Sequence, residues 1–155
     1  KITFADLFAE QPDLKQGLPL NSWLWLIGAE ASPLLVTAFG DAFFARGDGQ
    51  VCFLDTYEGR VHEIAPEGGG WEAALRAPEH IEPTLLAELR GRGLFVSPGQ
   101  CYSPVHPLIL GGKMEADNFE ITSWRVHIGL MGQIYEQSKD LPEGTPIRGV
   151  TSSNE

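Results

Sequence analysis

Apolar positions recur at two different periods along this chain, and the change of period divides it. The opening residues are spaced as in helices. Phe4, Leu7 and Phe8 share one face of a predicted helix over Thr3–Glu10, with Thr3 as its cap. Pro12 and Gly17-Leu18-Pro19 break that helix. Asn21 or Ser22 then caps a second one, Trp23–Ile27, which Gly28 ends. From Leu34 the pattern shortens to strands. Leu34–Phe39, Ala42–Ala45, Gln50–Asp55 and Arg60–Ala65 are separated by Gly40-Asp41, Gly47-Asp48-Gly49 and Glu58-Gly59. Glycine and aspartate tolerate the left-handed backbone of tight hairpins, so closely spaced strands with such turns predict an antiparallel meander.

The second half returns to helical spacing. After the loop Pro66–Gly70 come a short helix Trp71–Ala77 and a longer one Pro78–Arg90, with Ile81, Leu85, Leu86 and Leu89 on one face. Leu94–Val96 is brief and apolar. Ser97–Pro104 is expected to be a turn-rich loop, and Pro107–Leu110 an extended segment before the turn Gly111-Gly112. Phe119–Ser123 alternates as a strand does. Trp124–Ser138 carries Trp124, Ile128, Met131 and Tyr135 at helical spacing and is the most sharply patterned helix in the chain. The expected fold class is α+β: an antiparallel meander sheet with helices packed on it. At 155 residues and 43% apolar composition the chain suits one domain, placed at 1–150, with a frayed tail at 151–155.

Charge narrows the classes of function. There are 21 acidic against 11 basic residues, a formal net charge of −10. Phosphate contacts require Lys and Arg, so this balance argues against nucleic-acid binding; it is compatible with a basic protein partner and equally with acidity that only keeps the protein soluble. The longest apolar run is too short for a bilayer, and no basic, apolar leader opens the sequence; no membrane association is expected. The two cysteines, Cys52 and Cys101, lie in apolar contexts without metal-ligand spacing and are expected as free thiols in a cytoplasmic protein.

No catalytic set assembles from the residue types. His62, His80, His106 and His127 are not paired at ligand spacing with another His, Cys or carboxylate, and His62 and His127 are read as structural. Cys101 and His106 lie near each other as nucleophile and base would, yet no third orienting group accompanies them. Gly68-Gly69-Gly70 lacks the lysine of a phosphate loop. Asp41, Asp48 and Asp55 lack the spacing and terminal Glu of a calcium loop. Neither a cofactor nor a metal is therefore expected. Trp23, Trp25, Trp71 and Trp124 are read as core, although a partly exposed one could anchor an interface; the rival to a charged contact surface is one centred on an exposed aromatic with charges only at its rim.

Several segments together carry a resemblance. They are Pro33–Asp41, Val51-Cys52-Phe53-Leu54-Asp55-Thr56, Ser97-Pro98-Gly99-Gln100-Cys101-Tyr102, Leu110-Gly111-Gly112 and Lys139–Thr145. In order and spacing they resemble the C-terminal domain of Tdi-type type VI secretion immunity proteins, a domain often found after a GAD-like domain. The resemblance runs from about Trp23 to Ile147, and its Pro-Gly-Gln-Cys-Tyr and Phe-Leu-Asp-Thr stretches are the most specific parts. It implies a bacterial cytoplasmic protein, not an enzyme, that neutralises a cognate effector toxin by binding its toxin domain. It carries no residue-by-residue map of partner contacts.

Charge supplies that map as an expectation. Buried unpaired carboxylates are costly, so the acidic excess is expected outside. Asp41, Asp48, Asp55 and Glu58 at the hairpin ends, with Glu115 and Asp117 at a later turn, are the predicted contacts to a nuclease or another toxin with a basic cleft. The competing expectations are a small-ligand or enzymatic domain using the Gly99–His106 loop, and a generic scaffold module.

Overall fold

The computed structural model describes residues 2–28, 31–64 and 83–141. Within them Ala31–Val36 (β1), Ala42–Arg46 (β2), Val51–Asp55 (β3) and Arg60–Glu63 (β4) pair in sequence order as an antiparallel four-stranded sheet. The expected meander is therefore present. Its three turns have the predicted chemistry. Gly40, Gly49 and Gly59 all take positive φ, and each turn is closed by a side chain. Thr37 Oγ1 accepts the Asp41 N–H, Asp48 Oδ1 accepts that of Gln50, and Asp55 Oδ1 accepts those of Tyr57 and Glu58.

The first strand begins earlier than the apolar run suggests. It starts at Ala31 and crosses Pro33, where the register to β2 shifts: Pro33 faces Phe44 while Leu35 faces Phe43. Proline has no N–H for the ladder, so it is accommodated at an irregularity on a strand that pairs with β2 alone in this sheet. The strand ends at Val36 because Thr37 already opens the turn.

At the N-terminus the sheet competes with the helix and wins. Only a single 3₁₀ turn forms, Phe4–Leu7, with Asp6 accepting the Thr3 N–H at 2.8 Å. Phe8 then extends and bridges Thr37, while Ala9 N–H and Ala38 N–H bond Val36 and Leu7 carbonyls. The expected helix over Thr3–Glu10 is thus cut to one 3₁₀ turn followed by an isolated bridge to the end of β1. The next segment is closer to expectation. A 3₁₀ turn, Asn21–Trp23, leads into Leu24–Ile27 (α1), closed by Gly28 at φ 88°. Neither Asn21 nor Ser22 caps it; Leu20 precedes the turn and Ser22 Oγ reaches Ile128 O instead.

Pro83–Gly91 (α2) buries Leu85, Leu86 and Leu89, as the periodicity predicts. The expected helix Trp71–Ala77, the loop before it, residues 78–82 and the tail 151–155 lie outside the described residues. Gln100–Pro104 (β5) and Phe119–Ser123 (β6) form a separate antiparallel pair. The expected loop Ser97–Pro104 is therefore half strand. Its polar and proline residues suggested a loop, but Cys101, Tyr102, Ser103 and Pro104 are all buried, and the Ser103 hydroxyl is satisfied internally. Pro107–Leu110 is not extended either. Leu108–Leu110 is a 3₁₀ turn that Gly111 ends at φ 105°.

Trp124–Ser138 (α3) matches the predicted bounds and buries Trp124, Ile128, Met131 and Ile134. One face of the large sheet, with Ala42, Phe44, Cys52 and Leu54, packs with these residues and with Trp23 and Ile27. The neighbouring residues Phe43 and Phe53 point to the opposite face, as strand alternation requires. A second cluster joins Phe39 and Tyr57 from the turn end of the sheet to the α2 leucines, Tyr102 and Phe119. The segment carrying Trp23 and Trp25 is pressed against α3. Their indole N–H groups donate to Ile128 O at 2.8 Å and Gly132 O at 3.2 Å. A Cβ at Gly132 would stand 2.6 Å from Ser22 O, so that contact needs glycine.

Candidate partner-binding surface

The six carboxylates expected at the partner surface divide into two groups. Asp41 and Asp55 have no exposed surface, a correction to the expectation that the acidic excess lies outside. Both are internal acceptors. Asp41 Oδ1 takes the backbone N–H and the hydroxyl of Thr56, each at 2.8 Å, tying the β1–β2 turn to the β3–β4 turn. Asp55 organises its own turn through Tyr57 and Glu58. A carboxylate is tolerated inside when N–H and O–H donors replace its water.

Asp48, Glu58, Glu115 and Asp117 are exposed. They do not form one edge. Asp48 lies in the turn before β3 and Glu58 in the turn after it, so the length of a strand separates them. Glu115 and Asp117 lie together on the 3₁₀ turn before β6, where they border a groove of about 390 Å³ shared with Thr84, Glu88 and Arg92 of the α2 region. Arg92 bridges this groove, with Nη1 2.7 Å from Asp117 Oδ1 and Nη2 3.0 Å from Glu88 Oε2.

Behind the surface runs a polar chain that links four elements. Asp41 accepts the Thr56 hydroxyl proton, so Thr56 Oγ1 is left to accept from His127 Nε2 at 3.0 Å. The other ring nitrogen, Nδ1, then accepts from Ser103 Oγ at 2.7 Å. This assigns His127 as the neutral Nε2–H tautomer. Complete burial agrees, holding its pKa down to about 3. Ser, His and Asp occur in one chain here, yet the ring is enclosed and both its nitrogens are engaged within the protein. Residue spacing gave no signal for this set; Asp41, Thr56, Ser103 and His127 meet only through the fold.

The other histidines and the cysteines have ordinary settings. His62 lies on β4 with its ring 6.4 Å from that of Phe53, and His80 is outside the described residues. His106 is exposed, and its Nε2 donates to Leu110 O at 2.7 Å while its backbone N–H and C=O pair with the Asn118 amide. Cys101 is buried and free, and burial pushes its thiol pKa far up. The Cys101–His106 pair is thus not assembled as nucleophile and base, because one side chain is enclosed and the other holds a turn. Trp23 and Trp124 are core as expected and Trp25 is half-buried. Trp71 lies outside the described residues. Among the described residues no group of three His, Cys, Asp or Glu gathers to hold a metal ion, and no helix is long and apolar enough to cross a membrane.

One exposed aromatic went unnoticed in the sequence. Phe95 is 54% exposed, and no other Phe, Tyr or Trp among the described side chains is as open. Strand-like alternation turns Leu94 and Val96 to the core and Phe95 outward. The Arg90 guanidinium stands over its ring, 4.8 Å from the centroid, and also pairs with Asp6 at 3.2 Å.

Comparison with known proteins gives a similar fold and a family match over part of the chain. The crystal structure of Atu4351 from Agrobacterium tumefaciens is similar, with a TM-score of 0.51 and 17% identity, covering 84% of this chain. This chain spans 61% of the length of that protein, and the likeness is one of fold. No curated protein matches the sequence significantly. Residues 72–135, which contain α2, β5, β6 and most of α3, match the sequence model of the family described as T6SS immunity protein Tdi1, C-terminal, and this bears out the resemblance first read from the residues.

Proposed function

We propose that this chain is an immunity protein that binds a cognate type VI secretion effector toxin in the bacterial cytoplasm and neutralises it by covering the toxin's active site. The observation that carries this reading is the family match over residues 72–135. The formal charge of −10 supports it, since an acidic protein is drawn to the basic cleft of a nuclease or similar enzyme. So does the geometry around Cys101 and His106, which does not provide the pair a catalytic reading of that loop needs. With Asp41 and Asp55 enclosed, the charged contacts fall to Asp48, Glu58, Glu115 and Asp117. Glu115 and Asp117 lie inside the matched stretch.

The test is co-expression with the toxin domain encoded beside the gene. Rescue of growth and a stable complex on size exclusion are expected. A toxin that still kills cells containing soluble, folded protein would overturn the reading.

A further inference from the structure

We infer that the toxin docks on the face around Phe95, with the ring as an apolar anchor and the carboxylates beside α2 as its charged rim. The inference rests on the immunity reading and names the surface that reading leaves open. Phe95 is not merely an unburied residue. Its backbone is held from behind, because Leu94 and Val96 pack into the core and the Tyr102 hydroxyl donates to Leu94 O at 2.5 Å. One face of its ring is covered by the Arg90 guanidinium, which Asp6 pairs with in turn. A large side chain presented in one conformation loses little freedom on binding, and aromatic and arginine residues dominate interface energetics.

Charge decides what kind of surface fits there. The C-terminal turn of α2 sends Arg90 to one side and Arg92 to the other, and each lines a groove. Those grooves carry five carboxylates, Asp6, Glu10, Glu88, Glu115 and Asp117, against these two guanidiniums. Both guanidiniums are already paired with carboxylates of this chain. Phe95 lies on the Arg90 side, where the groove carries two carboxylates, Asp6 and Glu10, against that one guanidinium, so the apolar centre has net negative charge beside it. Its complement is a basic protein surface with a hollow for one aromatic ring, and a toxin built around a phosphate-binding cleft would supply the basic charge. Val126 and Leu130 on α3 are also exposed, but both are aliphatic and lack the aromatic character of an anchor.

The experiment measures binding of the full chain to the adjacent gene's toxin domain, made catalytically inactive by substitution. Phe95→Ala is expected to weaken binding by about thirtyfold or more, chiefly through faster dissociation, with an unchanged urea midpoint. Val126→Ser, at a site of similar exposure, is expected to leave binding as it was. Wild-type protein that protects cells while Phe95→Ala binds equally well would overturn the docking face and leave the immunity reading standing. So would a homodimer of this chain that Phe95→Ala dissolves without affecting toxin binding. Wild-type protein that neither binds nor protects would overturn the reading and the docking face together.

Discussion

Gly40 and His127 touch so closely that a Cβ on the glycine would stand 2.3 Å from Cδ2 of the ring. The glycine also holds φ 93°, a conformation costly for any residue with a Cβ. Gly40→Ala therefore combines backbone strain with overlap against a ring that is bonded on both sides. A loss of about 2–4 kcal/mol in unfolding free energy is expected. Equilibrium urea denaturation measures it, and a loss under about 1 kcal/mol would show that the His127 ring is free to move.

His127 also makes stability depend on pH. Its folded pKa, about 3, lies below the ordinary value of 6.5 because burial disfavours the charged ring. The unfolded chain consequently binds a proton that the folded chain refuses. Stability from the neutral ring is complete above pH 6.5 and is lost as pH falls from there toward 3, by about 1 kcal/mol per pH unit. Urea midpoints between pH 7 and 5 should fall for the wild type. His127→Gln, weaker at pH 7, should show a shallower slope; equal slopes would place the titration elsewhere.

The face of α3 that points inward is tested by Met131. Its side chain is buried with Trp124 and Ile128 between the helix and the large sheet. Met131→Ala leaves a cavity there and is expected to cost about 2–5 kcal/mol. Val126→Ala, on the exposed face of the same helix, should change stability by less than about 0.5 kcal/mol. The pair of urea curves would contradict the packing if their order were reversed.

Cys52 and Cys101 are both buried and free, and burial raises both thiol pKa values. Thiolate is the reactive form, so both should resist a thiol reagent in native protein at pH 8. Denaturation without reductant should reveal two thiols. Finding none would mean a disulfide that this fold does not contain.

What the sequence revealed depended on how local the cause was. The hairpins were legible because Gly49 and Gly59 carry their own turn geometry, and α3 because one apolar stripe sets its length. The first helix was misread because its competitor, the Phe8–Thr37 pairing, joins residues far apart in sequence. The strand β5 was hidden because Ser103 is buried as the partner of His127, a residue on another element. The candidate surface divided in the same way. Asp48, Glu58, Glu115 and Asp117 were rightly placed outside by polarity alone. Asp41 could not be, since only the arrival of Thr56 makes its burial tolerable. Phe95 went unnoticed because Leu94-Phe95-Val96 is uniformly apolar, and alternation does not say which side meets solvent.

Asp41 and Asp117 provide the sharpest contrast between a structural carboxylate and one proposed to meet the partner. Asp41 accepts two hydrogen bonds from Thr56 in the interior. Asp41→Ala leaves those donors without that acceptor, so a stability loss of at least about 2 kcal/mol is expected, with weaker toxin binding only as a consequence of unfolding. Asp117 is exposed and pairs with Arg92, an interaction worth little to stability at the surface. Asp117→Asn together with Glu115→Gln should leave the urea midpoint almost unchanged. In stopped-flow mixing with the toxin domain the same pair should slow association several-fold at low salt. That difference should shrink as salt screens charges beyond the Debye length. Dissociation should change much less, because rim charges steer the encounter whereas the anchor holds the complex. An association rate indifferent to salt and to both substitutions would remove charge from the recognition while leaving the Phe95 anchor to be judged on its own. A double substitution that unfolds the protein would instead mean that Asp117 and Arg92 hold the fold together and do not form its rim.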